Sequence, residues 1–262
     1  MNHHFEIAKE LVTEAGLRAR RRRSAGLVRE AKALQDFVTE ADRETEATIR
    51  DELRRRFPRT GVLGEERGLE LPEGAATPMD AEGLWILDPI DGTSNFAAGI
   101  DAWCVSLAYV RKGIPEIGVV FAPDRQELYT AVRGRGSHLN DDPLRIDGGV
   151  PVSQALIMTG RGSVLPVEEH LEVIRRLLEA GFEYRRCGSG ALGLAQVATG
   201  QIQGYVEPGM YPWDVAAARL VVAEAGGELT PFPLENPTTD LGPMVVACQP
   251  GLLEVLSETV RF

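Results

Sequence analysis

Cysteine is scarce in this chain of 262 residues: the three that occur are Cys104, Cys187 and Cys248. Their odd number and wide spacing argue against a disulfide framework and a zinc site, and predict buried free thiols in a reducing compartment. Long apolar runs are also missing, since no stretch approaches the ~18 residues that a membrane helix needs. The first residues, MNHHFEIAKE, lack the pattern of a secretory signal. We therefore expect a cytoplasmic protein that binds no membrane.

Basic residues are outnumbered: 28 Lys and Arg stand against 39 Asp and Glu, which gives a net charge of −11. Proteins that bind DNA or RNA usually present a basic surface, because they neutralise backbone phosphates. The charge balance thus argues against a nucleic-acid partner. An acidic excess is also compatible with carboxylates gathered around divalent cations, and composition alone does not choose that use.

Apolar spacing predicts helices at both ends of the chain and strands between them. Helical periodicity extends over 5–34, including a basic run at 18–23 that we interpret as a solvated helix end, and over 36–57. Short apolar segments predict a largely antiparallel sheet, with strands at 84–87, 105–109, 116–121 and 128–132. Later helices are predicted at 166–180, 190–199 and 213–225. This order indicates stacked α and β layers.

The most informative segment directly follows the apolar residues 84–87. It places two carboxylates, Asp88 and Asp91, three positions apart at the end of a buried strand. Hard cations such as Mg²⁺ take oxygen ligands, so both carboxylates and the Ile90 carbonyl are candidate ligands. Gly92 then allows the backbone to turn close to a ligand, where its N–H group and that of Thr93 are candidate phosphate contacts. An Asx-type turn after a strand is the alternative interpretation.

Other acidic residues support the cation site less specifically. Glu65 and Glu66 follow a second short apolar segment, and Asp214 stands at the predicted start of a helix. Carboxylates are favoured in the first turn of a helix in any case, because they complement the helix dipole. The residues by themselves indicate only a candidate divalent-metal site.

Two longer blocks connect these acids to a known family. Residues 85–96, WILDPIDGTSNF, are similar to a DPxDGTxNF signature, and residues 213–227, from WDVAAA to EAGG, are similar to a WDxAA…EAGG signature. Supporting segments follow in the same order: DFVTEAD at 36–42, GEE at 64–66, GSGAL at 188–192 and VATG at 197–200. The sequence thus resembles the inositol monophosphatase family of magnesium-dependent, lithium-sensitive phosphatases.

The resemblance implies the fold and the domain organisation. It predicts an α+β protein, a layered αβαβα sandwich of the inositol monophosphatase and fructose bisphosphatase type. Residues 1–262 would form a single compact phosphatase domain, with an N-terminal α+β half at about 1–145 and a C-terminal α/β half at about 146–262. The active site would lie between the halves, and the protein would form a homodimer.

The resemblance also implies a role for each matching site residue. It predicts two or three Mg²⁺ ions held by Glu65, Asp88, the Ile90 carbonyl, Asp91 and Asp214. The predicted catalytic residues are Glu65, which helps to activate water, Thr93, which lies next to that water, and Asp42, which accepts a hydrogen bond from Thr93. The predicted substrate contacts are Asp91, Gly92, Thr93, Ser189, Gly190 and Glu207.

The implied activity is hydrolysis of a phosphate monoester of a small polyol or sugar, with inositol monophosphate as the default substrate. The sequence departs from the usual pattern at Asp101, where Pro is common, at Gly190, where Ala is common, and at Gly193 and Gln203, which replace frequent acids. These departures leave histidinol phosphate, fructose bisphosphate and phosphoadenosine phosphate as alternatives. A family member that binds a partner without catalysis is a further alternative.

Overall fold

The computed structural model describes residues 1–24, 29–33, 36–162 and 166–261, and only the backbone at 29–33 and 36–39. The α-helices in these ranges are α1 (Asn2–Ser24), α2 (Glu40–Arg56), α3 (Thr93–Ala98), α4 (Val167–Glu179), α5 (Gly190–Gln196), α6 (Pro212–Glu224) and α7 (Leu253–Thr259). The strands are β1 (Arg29–Ala33), β2 (Asp36–Thr39), β3 (Gly61–Gly64), β4 (Gly68–Glu70), β5 (Leu84–Asp91), β6 (Cys104–Arg111), β7 (Ile114–Ala122), β8 (Glu127–Val132), β9 (Ser137–Leu139), β10 (Asp142–Leu144), β11 (Leu156–Thr159), β12 (Glu183–Arg185), β13 (Gly204–Glu207), β14 (Glu228–Leu229) and β15 (Val245–Cys248).

The larger sheet is built from the middle of the chain, in the order β10-β9-β8-β7-β6-β5-β3-β4. Its pairings are antiparallel except between β3 and β5, which run parallel. A smaller mixed sheet has the order β12-β11-β13-β15-β14. The prediction of a largely antiparallel sheet in the middle of the chain is correct.

The helices separate and cover these sheets. Helices α1 and α2 contact one face of the larger sheet, and α5 and α6 contact the other. On their far side α5 and α6 reach the smaller sheet, whose outer face is covered by α4 and α7. The resulting order of helix, sheet, helix, sheet and helix confirms the predicted αβαβα sandwich. The division into halves near residue 145 stays a prediction.

An irregularity in β5 positions the two motif carboxylates. The strand pairs Asp88 with Ser106 of β6 but Asp91 with Cys104, so three steps along β5 match two along β6. Residues an odd number apart on a regular strand point to opposite faces, and a bulge changes this alternation. The bulge contains Pro89, which has no N–H group to donate to the neighbouring strand. Asp88 and Asp91 can therefore face one pocket.

The first two predicted helices have different bounds in the structure. The first ends at Ser24 rather than near residue 34, and residues 29–33 form a strand instead. The second begins at Glu40, because Asp36–Thr39 is the strand that pairs antiparallel with Arg29–Ala33. Residues 25–28 and 34 of the predicted helix lie outside the described residues. Periodicity missed these two strands because strand pairing is not encoded in helical spacing, although Phe, Val and Thr favour strands.

The basic run at the end of α1 is also more than a solvated helix end. Arg23 forms an ion pair with Asp124 at 2.7 Å, and its guanidinium lies 5.6 Å from the centre of the Trp103 ring. Arg20 donates a hydrogen bond to the Pro123 carbonyl at 2.9 Å. These contacts attach the end of α1 to the turn between β7 and β8.

No helix in the described ranges is both long and apolar enough to span a membrane.

The larger sheet and α6 approach each other closely at Gly118. A Cβ atom at this position would lie 2.5 Å from the backbone carbonyl oxygen of Ala217. We predict that Gly118→Ala lowers the free energy of unfolding by about 1–3 kcal/mol, because backbone would have to move to admit one methyl group. Urea unfolding followed by circular dichroism measures the change. An unchanged free energy of unfolding would contradict this packing.

Candidate active site and metal centre

Three aspartates from distant parts of the chain meet in one pocket. Oxygen atoms of Asp88, Asp91 and Asp214 all lie within 4.8 Å of one another. Asp88 and Asp91 come from the end of β5, whereas Asp214 comes from the first turn of α6. The cavity has a volume of about 280 Å³, and Glu65, from the turn after β3, also lines it. The structure thus gathers the four acids that the sequence predicted as metal ligands.

The electrostatics of this cluster favour a bound cation. Burial, together with the charges of Glu65, Asp91 and Asp214, raises the pKa of Asp88 well above its usual range. Burial and the neighbouring carboxylates raise the pKa of Asp214 in the same way. Carboxylates this close repel one another, and a divalent cation with oxygen ligands offsets that repulsion. The donor set therefore fits Mg²⁺.

The carboxylate of Asp91 is held from the second half of the chain. It accepts hydrogen bonds from the N–H groups of Gly190 at 3.1 Å and Ala191 at 2.8 Å, and from the Ser189 hydroxyl. Burial raises the pKa of Asp91, while these hydrogen bonds oppose the rise by stabilising the charged form. Ser189 and Gly190 line the pocket, but these hydrogens are directed to Asp91. Their predicted contact with substrate stays a prediction.

The position of Asp214 is compatible with both roles that the sequence suggested for it, helix capping and cation binding. Its Oδ2 atom accepts a hydrogen bond from the backbone N–H of Tyr211 at 3.2 Å, as a capping residue does. The same side chain belongs to the aspartate cluster and is partly exposed to the pocket. A carboxylate has two oxygens, so capping and cation binding are compatible.

The segment after Asp88 supplies a fixed hydroxyl group beside the cluster. The Thr93 hydroxyl lies 3.1 Å from Asp42 Oδ1 and 3.0 Å from the Ile90 carbonyl oxygen, and its single hydrogen is shared between these two acceptors. Asp42 is fully buried near the start of α2. Gly92 has a φ of +87°, and its Cβ would lie 3.1 Å from the Ala102 carbonyl, so glycine is required there. Ile90, Gly92 and Thr93 all line the pocket.

Glu207 lies on another wall of the same pocket, at the end of β13. It is 8% exposed and accepts a hydrogen bond from the Tyr205 hydroxyl. Burial raises the pKa of Glu207 to about 7. A Cβ at Gly160 would lie 2.0 Å from Glu207 Oε2, so glycine is needed for this carboxylate to occupy its position. Arg161 and Arg186 also line the pocket.

The overall match to a known family agrees with this geometry. A model of the inositol monophosphatase family matches residues 1–261. The chain belongs to the inositol monophosphatase family. The resemblance drawn from two sequence blocks is therefore confirmed over the length of the chain.

The names of similar proteins are of two kinds: some name a Nus factor, and others name an IMPase or a phosphatase. A Haemophilus influenzae protein named Nus factor SuhB is 36% identical over 231 residues, which cover 87% of this chain and 84% of the relative. The structure of a Thermotoga maritima IMPase has a TM-score of 0.83 at 29% identity, covering 99% of this chain and 97% of the other. A structure described as an IMPase/NADP phosphatase complexed with Mg²⁺ and phosphate has a TM-score of 0.75 at 26% identity, covering 90% and 87%.

Sequence reasoning assigned no role to Asn95, although it belongs to the quoted family block. Its amide nitrogen donates to the carbonyls of Ala102 at 2.6 Å and Cys187 at 2.7 Å. The first bond connects α3 to the segment that leads into β6, and the second connects it to the segment that leads into Ser189. Arg161 and Arg186 were also missed, because single arginines far apart in the sequence give no signal of a shared pocket.

The cluster predicts how Mg²⁺ changes stability. When folding raises the pKa of an acid, the free energy of unfolding falls as the pH rises from the usual pKa of that acid towards the raised one. At neutral pH without metal, Asp88→Asn is therefore expected to be at least as stable as the natural chain. Mg²⁺ at about 100 times its Kd adds ~2.7 kcal/mol, or roughly 5–10 °C in Tm, and the variant should lose this shift.

Thermal unfolding of both proteins in EDTA and in Mg²⁺ measures the effect. Ser94→Ala is a suitable control, because Ser94 lines the pocket without being one of the predicted ligands. An equal Mg²⁺ shift in the natural chain and Asp88→Asn would show that Asp88 binds no cation.

Proposed function

We propose that this chain is a Mg²⁺-dependent phosphomonoesterase that hydrolyses the phosphate ester of a small polyol or sugar with an activated water. The observation that carries the proposal is the cluster of Asp88, Asp91 and Asp214, with Glu65 on the same pocket. Family membership supports it, as does a similar protein whose structure is described as complexed with Mg²⁺ and phosphate.

Divalent cations bound by these acids would supply positive charge to the phosphoryl oxygens and make a nearby water more acidic. The chain itself orients the water. Because the Thr93 hydrogen is directed to Asp42 and the Ile90 carbonyl, the lone pairs of its oxygen remain available to accept from a water in the pocket. Glu65 is our candidate to take up the proton of that water. No covalent intermediate with the protein is required.

The wall formed by Glu207 is our candidate for contact with the rest of the substrate. The Tyr205 hydroxyl donates a hydrogen bond to Oε2 of Glu207. The other carboxylate oxygen, Oε1, is therefore left to bind a hydroxyl of a polyol or sugar. With a pKa of about 7, Glu207 is present in both protonation states near neutral pH. Inositol monophosphate remains the default substrate.

One observation favours a substrate with a second anionic group. Arg186 lines the pocket near Glu207, whose pKa its charge lowers. Among the described residues the Arg186 side chain has neither a hydrogen bond nor an ion pair, and it is exposed. Arg161 lines the same pocket. Among the candidate substrates, fructose bisphosphate and phosphoadenosine phosphate carry a second phosphate that these arginines could bind.

A non-catalytic role through a partner is the second candidate. It is favoured by the name of the Haemophilus influenzae relative, Nus factor SuhB. Against it, every predicted side-chain ligand of this chain is still an acid, namely Glu65, Asp88, Asp91 and Asp214. A protein that only binds a partner does not need these carboxylates to remain clustered at the cost of their repulsion.

Phosphate release separates the two candidates. The substrates are inositol, histidinol, fructose and phosphoadenosine phosphates, each with Mg²⁺ and with EDTA, and Asp88→Asn is the blank. We expect Mg²⁺-dependent release from at least one ester, lost in the blank together with metal affinity, and inhibited by millimolar Li⁺. Equal release by the natural chain and Asp88→Asn, or no release from any ester, would favour the partner-binding candidate.

A matched pair of variants tests the second anionic group. We predict that Arg186→Gln raises KM for a bisphosphate about tenfold, since an ionic hydrogen bond is lost, and changes KM for inositol monophosphate little. Arg185→Gln is the control, because Arg185 is also exposed but pairs with Glu183 at 2.8 Å. Equal effects of Arg186→Gln on both substrates would contradict this assignment.

A further inference from the structure

A buried ion pair lies beneath the turn that carries Glu65. Glu46 and Arg50 are one turn apart on α2, with Arg50 Nε 2.8 Å from Glu46 Oε1. Both side chains are 0% exposed. Burying two charges costs free energy that their mutual attraction often fails to recover, so such a pair is weak evidence for stability alone. Its hydrogen bonds indicate another use.

The pair binds the backbone on both sides of Glu65. Glu46 accepts from the N–H groups of Glu66 at 2.8 Å and Arg67 at 3.0 Å. Arg50 donates to the carbonyl of Val62 at 3.3 Å, in β3, and to the carbonyl of Gly68, in β4. Both strands of the hairpin and the turn between them are thus attached to one face of α2.

The pair also leaves no room beside the residue that precedes Glu65. A Cβ at Gly64 would lie 2.8 Å from Glu46 Oε2 and 2.9 Å from Arg50 Nη2. Gly64 has an ordinary backbone conformation, because its φ is not among the positive values. Glycine is therefore required here by the closeness of the ion pair and not by the turn itself.

We propose that Glu46 and Arg50 are positioning residues for Glu65: they fix the backbone of residues 62–68 so that the Glu65 carboxylate enters the aspartate pocket. This proposal rests on the proposed function, in which Glu65 binds Mg²⁺ and helps to activate water. Glu65 sits on a short turn, where its own backbone gives little rigidity. A carboxylate that binds two successive N–H groups, and a guanidinium that binds both strands, supply that rigidity before metal arrives.

The test compares two Glu-to-Gln substitutions in the same helix. Glu46→Gln keeps the size of the side chain but replaces one acceptor oxygen with a donor and removes the charge that pairs with Arg50. Glu52→Gln is the control, because Glu52 pairs with Arg56 at 2.9 Å on the surface of α2, away from the pocket. Arg50→Lys is the second variant, which keeps the charge but loses the fork that reaches both strands.

Two readouts separate positioning from general stability. For Glu46→Gln we expect the Mg²⁺ concentration for half-maximal phosphate release to rise about 10–100-fold, with a smaller change in kcat at saturating Mg²⁺. The amide hydrogens of Glu66 and Arg67 should exchange faster, while those of β5 keep their protection. Arg50→Lys should move both readouts in the same direction, and Glu52→Gln should move neither.

A folded Glu46→Gln with the Mg²⁺ dependence of the natural chain would overturn the proposal. If Glu46→Gln does not fold, Arg50→Lys decides by the same criteria.

Failure of the proposed function is distinguishable from failure of this proposal: a natural chain that releases no phosphate refutes the phosphatase assignment. In that case calorimetric titration with Mg²⁺ and amide exchange still measure whether the pair positions Glu65, and an unchanged Kd in the variants overturns the proposal.

Discussion

The mutual repulsion of carboxylates in one small cavity is the constraint on which the rest of the site depends. Asp88, Asp91 and Asp214 have oxygens within 4.8 Å of one another, and burial raises the pKa of each. Without a cation this arrangement opposes folding at neutral pH. The chain must therefore fix each acid by separate contacts, so that relaxation of the side chains does not disperse the cluster.

The five layers provide those contacts from different directions. A bulge in β5 aims Asp88 and Asp91 at one pocket, the start of α5 binds Asp91, and the start of α6 places Asp214 opposite them. Helices α5 and α6 form the layer between the two sheets, which is why the larger sheet and the smaller sheet both contribute walls of the cavity. Close packing of α6 on β7 at Gly118 keeps this layer at a fixed distance.

The sequence predicted the parts of the site that depend on short, local patterns. Asp88 and Asp91 follow a recognisable strand, Asp214 begins a recognisable helix, and the resemblance to a family placed Glu65, Thr93 and Asp42 near them. It did not predict contacts made by long side chains across the fold. Glu46 and Arg50 look in sequence like an exposed i,i+4 pair, and the basic run ending at Arg23 looks solvated, yet both bind segments that are distant along the chain.

The same limit applies to the helix bounds. Residues 29–33 and 36–39 continue a helical pattern by composition, but strand pairing, which depends on two segments at once, determines their backbone. Prediction of the substrate from sequence meets the same limit, because Glu207, at the end of β13, and Arg161 and Arg186, which follow β11 and β12, reach the pocket from separate parts of the chain. The acids of the pocket point to a reaction class, and in the function that we propose the arginines would distinguish among its substrates.

The central claim is that these carboxylates hold divalent cations at the point where a phosphate ester reacts. The most direct test is a crystal of this protein soaked with Mn²⁺ and phosphate and measured at the manganese absorption edge. The account predicts anomalous density among Asp88, Asp91, Asp214 and Glu65, with phosphate beside Thr93. Anomalous density elsewhere, or none in this pocket at millimolar Mn²⁺, would contradict it.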